Sequence, residues 1–315
     1  PRPEIALPGI PAPSLLLSLL LFNLVFAIQN GLDLAFLWSG APLPGGVTLA
    51  DYAHRGAYPL IATALLAGLF VLVALKPGSA SAANPAIRRL VVLWVAQNLF
   101  LVASSILRTL DYVAAYSLTG FRIAALAWMG LVAIGLALIC WRMLRGRSAA
   151  WLINANALMA ALVLSAASIV DLEASAAAWN VRHARETGGR GVELDLCYLA
   201  QTGPSSLLAL VALERRPLPP AFRDRVRHVR GLVMADLARR QAGWRSWTWR
   251  GRYRLETARR LLGPNPPIAA PASPGTERDC GGTIRPIAAE QPAPMAGPAT
   301  APTGEGPLWH HIGIY

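Results

Sequence analysis
The chain has 315 residues, of which 54% are hydrophobic and only 15% charged, well short of the roughly 25% charged residues of a soluble globular domain. That deficit excludes an ordinary water-soluble enzyme or binding domain and points to a membrane protein. The formal net charge is +12, every base except Lys76 is arginine, and Cys140, Cys197 and Cys280 are too few and too widely spaced for a disulfide framework or a CxxC metal site.

A membrane span needs about 20 predominantly apolar residues, and it must be helical because lipid offers no partner to an unpaired backbone group. After an N-terminal segment, 1–13, five stretches meet that demand: 14–37, 57–75, 90–108, 121–144 and 151–171. Trp38, Trp128, Trp141 and Trp151 lie at or towards their ends, where an interfacial aromatic belt belongs. The first is too long for the roughly 7–15 apolar residues of a secretory signal core, and no small-residue cleavage pattern closes it. Asp171 is read as closing the fifth span.

Beyond Asp171 the composition changes. Residues 172–215 mix polar and apolar side chains, with turn signals at Gly188-Gly189-Arg190-Gly191 and Gly203-Pro204, and read as small helices. Between Ala221 and Arg240, Phe222, Val226, Val229, Val233 and Leu237 recur at helical spacing with arginines mostly off that stripe, which predicts an amphipathic basic helix. An Arg/Trp stretch follows from Trp244 to Arg250 and leads to Arg259-Arg260. From 264 to 315 the chain is rich in Pro, Ala and Gly, a composition that predicts disorder.

Five spans place Arg2, Lys76, Arg88, Arg89, Arg142, Arg145 and Arg147 on one side, against Arg55, Arg108 and Arg122 in the short loops opposite. The excess of short-loop bases marks the first side as cytoplasmic, so residues 172 onward are expected on the non-cytoplasmic side. Ionisable groups gather at that same side. At about 100° per residue, Asn23, Gln29, Asn30 and Asp33 share an arc of about 120° on the first helix, and Gln97, Ser104, Arg108 and Asp111 one of about 60° on the third. Asn30, Asp33, His54, Arg55, Gln97, Arg108, Asp111 and Arg122 therefore form the candidate polar cluster. It could bind a small polar or ionic solute, Arg108 and Arg122 drawing an anion and Asp33 or Asp111 holding a cation or proton. The plainer alternative is interhelical hydrogen-bond glue, about 0.6 kcal/mol per contact.

No phosphate-binding loop, dinucleotide fingerprint, HExxH site or nucleophile elbow occurs, so no catalytic residue, metal or cofactor is expected and an enzyme is disfavoured. His183 reads as a solvated histidine, Asp195 as a cap or local partner, Cys140 as packing and Cys197 as an inert thiol. The Arg/Trp stretch admits three readings: a nucleic-acid contact, an interfacial helix pair against lipid phosphates, or a helical cap over the bundle. Its tether behind membrane spans sets nucleic acid aside.

Several segments carry a family resemblance. They are Tyr52-Ala53-His54-Arg55-Gly56, Ser105 to Arg108 with Tyr112, Tyr116 and Arg122, Trp151 to Asn156, Trp179 to Arg185, Leu194 to Leu199, and Gly203-Pro204-Ser205-Ser206. Over about residues 14–260 the chain resembles the bacterial multi-pass membrane proteins grouped as domain of unknown function 4153/4173. The resemblance implies an inner-membrane protein of undetermined activity and transfers no catalytic residue. The expectation is thus an all-α polytopic transmembrane bundle of about five spans, with a helical extramembrane segment at 172–263 and a disordered tail. It would serve as a scaffold or sensor-like module with the lipid bilayer as solvent and a protein partner at 172–260, or alternatively as a transporter or small-solute binding protein.

Overall fold
The computed structural model describes residues 11–39 and 84–287. Pro11 leads into α1 (Ala12–Asp33), which runs on through a π-helical turn, Leu34–Trp38. Asn84 caps α2 (Pro85–Tyr116) by accepting from the Ala86 N–H, with Pro85 in the first turn, where its missing N–H costs nothing. Thr119 caps α3 (Gly120–Arg145), and Ser148 caps α4 (Ala149–Ile169). Between these two helices Gly146 takes a left-handed conformation, φ +62°, that a residue with a Cβ adopts only with strain.

These four helices are the only ones among the described residues long and apolar enough to cross a membrane. Their outward side chains, among them Leu17, Leu21, Phe121, Leu144, Leu158 and Leu164, are exposed and apolar, a continuous surface suited to hydrocarbon rather than water. A core of Leu15, Leu19, Ile87, Val91, Val95, Leu136 and Leu152 knits the helices together, and each packs on its neighbour in sequence. The expected second span, 57–75, lies outside the described residues. α2, at 32 residues, is about 48 Å long, well beyond the expected 90–108, because caps rather than hydropathy set its ends.

α1 and α2 run parallel. The Asn23 amide donates to the Leu90 carbonyl and the Asn30 amide to that of Gln97, both across 67 positions, so the register advances in the same direction along both helices. The ends at Asp33–Trp38 and at Arg108–Tyr116 consequently share one side.

Asp171 does not close the last span. It caps a new helix, α5 (Leu172–His183), which opens a second body built from α6 (Leu196–Gln201), α7 (Leu207–Glu214), α8 (Pro220–Ala242) and α9 (Trp249–Leu262). α7 is buried at its centre, and the expected stripe of α8, Phe222, Val226, Val229, Val233 and Leu237, faces this core together with Val181, Leu199, Leu210 and Leu255. The stripe therefore covers protein rather than lipid. Within this core Glu214 holds two arginines, accepting from Arg227 at 2.9 Å and from the buried Arg230 at 2.7 Å.

The disorder expected from residue 264 does not begin there. Residues 264–287 cross α8 and form an antiparallel hairpin, β1 (Thr276–Arg278) and β2 (Ile284–Pro286), in the register Thr276↔Pro286 and Arg278↔Ile284. Arg225 donates to the Gly281 carbonyl at 3.1 Å, and Asp224 accepts from the Ala270 N–H at 2.8 Å and pairs with Arg278. A disulfide joins Cys280 to Cys197, 83 positions earlier, correcting the reading of Cys197 as an inert thiol. Composition missed this order because covalent and ionic ties, not apolar burial, hold the segment.

Candidate functional site
Among the described residues, two polar clusters bear on the site, one inside the bundle and one where the cap meets it. Inside, a ladder joins α1 to α2. Gln97 donates to Asn23 Oδ1 at 2.7 Å, Asn30 donates to the Gln97 carbonyl at 3.3 Å, and the Trp38 indole N–H donates to Ser104 Oγ at 3.1 Å. Asp33, 1% exposed, pairs with the buried Arg108 and accepts from Gln29 at 3.3 Å. Two opposite charges taken out of water hold each other firmly because neither has solvent to fall back on. Four buried oxygens of this ladder, Asn30 Oδ1, Asp33 Oδ2, Gln97 Oε1 and Ser105 Oγ, have no hydrogen-bond partner among the described residues.

The candidate residues thus divide. Asn30, Asp33, Gln97 and Arg108 come together on the α1–α2 seam. His54 and Arg55 lie outside the described residues. Asp111 is exposed on α2. Arg122 serves the α2–α3 turn, donating to the carbonyls of Tyr116 and Ser117 and stacking 4.3 Å over the Tyr112 ring. It stabilises the left-handed Ser117, φ +68°, a role its place at the start of a span did not reveal.

The second cluster lies at the junction. Asn180 of α5, buried, accepts from the Leu118 N–H and donates to the Leu118 carbonyl, both at 2.8 Å. Tyr198 accepts from the Gly120 N–H at 3.3 Å and donates to Glu173 at 2.6 Å. Burial and the Glu173 carboxylate push the Tyr198 phenol above its ordinary range, so it stays a donor. Asp171 accepts from the Ala174 N–H at 2.8 Å and the Ser205 hydroxyl at 3.1 Å, pairs with Arg254, and has Arg250 at 3.7 Å. Burial pushes its carboxyl up, but the Ala174 N–H, Arg254 and Ser205 more than offset this and hold it below the usual aspartate range. Charges and hydrogen bonds therefore dock the cap on the bundle end.

Beside this junction a recess of about 220 Å³ opens between Val113, Ala114 and Ser117 at the end of α2 and Trp179, His183, Arg190 and Leu194 of the cap. The Trp179 and His183 rings stack at 4.1 Å. His183 Nδ1 is 2.8 Å from the Trp179 carbonyl, which can only accept, so Nδ1 is the donor there and Nε2 is left outside this bond. The Gly-rich turn is wrapped on the helix end: the Gly191 N–H donates to the His183 carbonyl at 2.8 Å, and a Cβ on Gly191 would come within 2.4 Å of that oxygen. Arg190, at the tip of this turn, has no acidic partner among the described residues. Asp195 is a helix cap, accepting from the Tyr198 N–H at 2.9 Å.

Sequence reasoning missed Glu173, Asn180, Tyr198 and Arg254 as docking residues. One signal was present: an aspartate directly after an apolar run marks a helix start as readily as a span end. No group of three or more His, Cys, Asp or Glu that could hold a metal occurs among the described residues.

The family described as Domain of unknown function (DUF4153) matches residues 2–213, ending in the last turn of α7, so the Arg/Trp helices and the hairpin lie beyond the matched region. No curated protein and no solved structure matches the chain.

Proposed function
Because the chain belongs to the DUF4153 family, a family without assigned chemistry, we propose its role from its own geometry: a scaffold or sensor-like module of a bacterial cytoplasmic membrane, whose working part is the cap at 171–287. One contrast carries the reading. Inside the bundle the acid and the base are paired with each other, Asp33 with Arg108, whereas at the junction recess Arg190 stands without an acid and His183 offers a ring nitrogen. The cap recess thus presents an arginine and a ring nitrogen together to a partner.

Two observations support a cap on the non-cytoplasmic side. The excess of bases in the opposite short loops favours it, and the Cys197–Cys280 disulfide suits an oxidising compartment rather than a reducing cytosol.

A second reading, a small-solute binding or transport protein, is favoured by the four unsatisfied ladder oxygens, all able to accept from a donor or coordinate a cation. Reconstituted vesicles separate the two. Under the scaffold reading, Asp33→Asn and Arg108→Gln lower folding yield and leave ion flux at the protein-free level in every case. Flux of a monovalent cation or proton that the native chain supports and Asp33→Asn abolishes would replace the first reading with the second.

A further inference from the structure
The Arg/Trp segment has a surface that neither the bundle nor the cap core uses. Its place is fixed by the end of the last span. Arg250 donates to the carbonyl of Ile169, the final residue of α4, at 2.8 Å, and Arg250 and Arg254 both reach Asp171 two residues on. The first turn of α9 therefore stands where a membrane-crossing helix leaves the bilayer. Gly251, Leu255 and Ala258 are buried against the cap, which fixes how the helix is rotated. Trp249 and Tyr253, one turn apart, stack at 6.0 Å on the other side and are 73% and 51% exposed. Trp244, 84% exposed, and Trp247, 45% exposed, stand in the segment that leads into α9.

Large aromatic rings that are mostly exposed need a cover, and the position names it. Ile169 is itself exposed, so the first turn of α9, bonded to it through Arg250, adjoins the apolar surface of the last span. Indole and phenol groups, with an apolar body and a polar tip, settle at the headgroup level of a bilayer. The charges agree: residues 244–260 hold Arg245, Arg250, Arg252, Arg254, Arg259 and Arg260 against Glu256 alone. Arg259 and Arg260 have no acidic partner among the described residues, and Arg245 stacks 4.9 Å over the Trp244 ring. Guanidinium groups match phosphate oxygens in pairs, and a basic surface close to anionic lipid gains from each such charge.

We propose that residues 244–260 form an interfacial clamp that seats on anionic phospholipid headgroups at the rim of the last span, holding the cap against the bilayer. A soluble helix pair awaiting a protein partner would present the same composition. It would not need its first turn bonded to the last carbonyl of a span.

The test uses the full chain in nanodiscs and reads tryptophan quenching by lipids brominated near the glycerol end of the acyl chain. In one set the bromines are on phosphatidylglycerol within a phosphatidylcholine background, in the other the reverse. Subtracting the emission of Trp244→Phe/Trp247→Phe/Trp249→Phe isolates the signal of these three residues. The clamp predicts that this difference signal is quenched, by about twofold more per bromine on the anionic lipid, and that Arg245→Gln/Arg259→Gln/Arg260→Gln removes the headgroup preference. Soluble glycerol phosphate should not relieve the quenching, because the site reads a surface rather than a free phosphate. A difference signal quenched by aqueous acrylamide and untouched by either brominated lipid overturns the proposal. So does equal quenching by both lipids, or competition by glycerol phosphate.

Discussion
Asp171 and Arg254 form an ion pair across 83 positions of sequence, at the point where the last span ends and the cap begins. The same carboxylate caps α5 and accepts from Ser205 of the turn before α7. One side chain thus orients three cap segments on the bundle. Replacing a capping aspartate costs about 1 kcal/mol for the cap alone, and here Arg254 also loses its partner. Asp171→Ala should raise hydrogen exchange throughout α5 and α9 while leaving α1 and α2 unchanged. Uniform exchange in the variant and the native chain would remove Asp171 from the docking role.

The same residue sets a pH dependence. Its folded carboxyl is held below the usual aspartate range, so its contribution is fully present above the unfolded value, about 3.9, and is lost as pH falls through the lower folded value. Protection of the α5 amides should therefore decline on acidification below about pH 4. Asp171→Asn should remove the part of that decline due to this group.

The bundle answers to a different pair. Asp33→Asn or Arg108→Gln alone breaks the ion pair in the buried seam, a loss of about 3–5 kcal/mol for buried pairs generally. The double replacement removes both charges and should recover much of the folding yield. A double variant as poor as the sum of the singles would show that the two side chains act independently.

Inside the cap, Glu214 is the acid for both Arg227 and Arg230. Glu214→Gln should destabilise the cap by about 3 kcal/mol, because Arg230 stays buried without its counter-ion. Arg227→Gln, at a more exposed side chain, should cost under about 1 kcal/mol. Chemical denaturation followed by signals from the cap distinguishes the two.

At the recess, Gly191→Ala drives a methyl group towards the His183 carbonyl. The wrapped turn should open and the Trp179–His183 stack loosen, detectable as a change in Trp179 emission against a Trp179→Phe reference. A variant with native emission would show that the turn has room the geometry denies.

Much of the membrane architecture was legible in the amino-acid pattern, because lipid imposes one rule, a helix with a long apolar stretch and few charges, and α1 to α4 obey it. The stripe of α8 was legible for the same kind of reason: Phe222, Val226, Val229, Val233 and Leu237 repeat at helical spacing. What that stripe would face was not, since lipid and protein cores both accept valine. The candidate site was legible where residues pair across neighbouring helices, as Asp33 does with Arg108. It failed where a base is used within its own turn, as Arg122 is, and where partners are far apart in sequence, as Asp171 and Arg254 or Cys197 and Cys280 are. Spacing along a chain carries no signal for such contacts.

The cap is proposed to face away from the cytoplasm, and its sidedness can be read in intact cells. A chain with Cys140→Ser and Ala235→Cys, keeping the Cys197–Cys280 disulfide, presents one thiol on the exposed side of α8. A membrane-impermeant maleimide should label it as fully before permeabilisation as after. Labelling that appears only once the membrane is opened would put the cap in the cytoplasm and contradict the account.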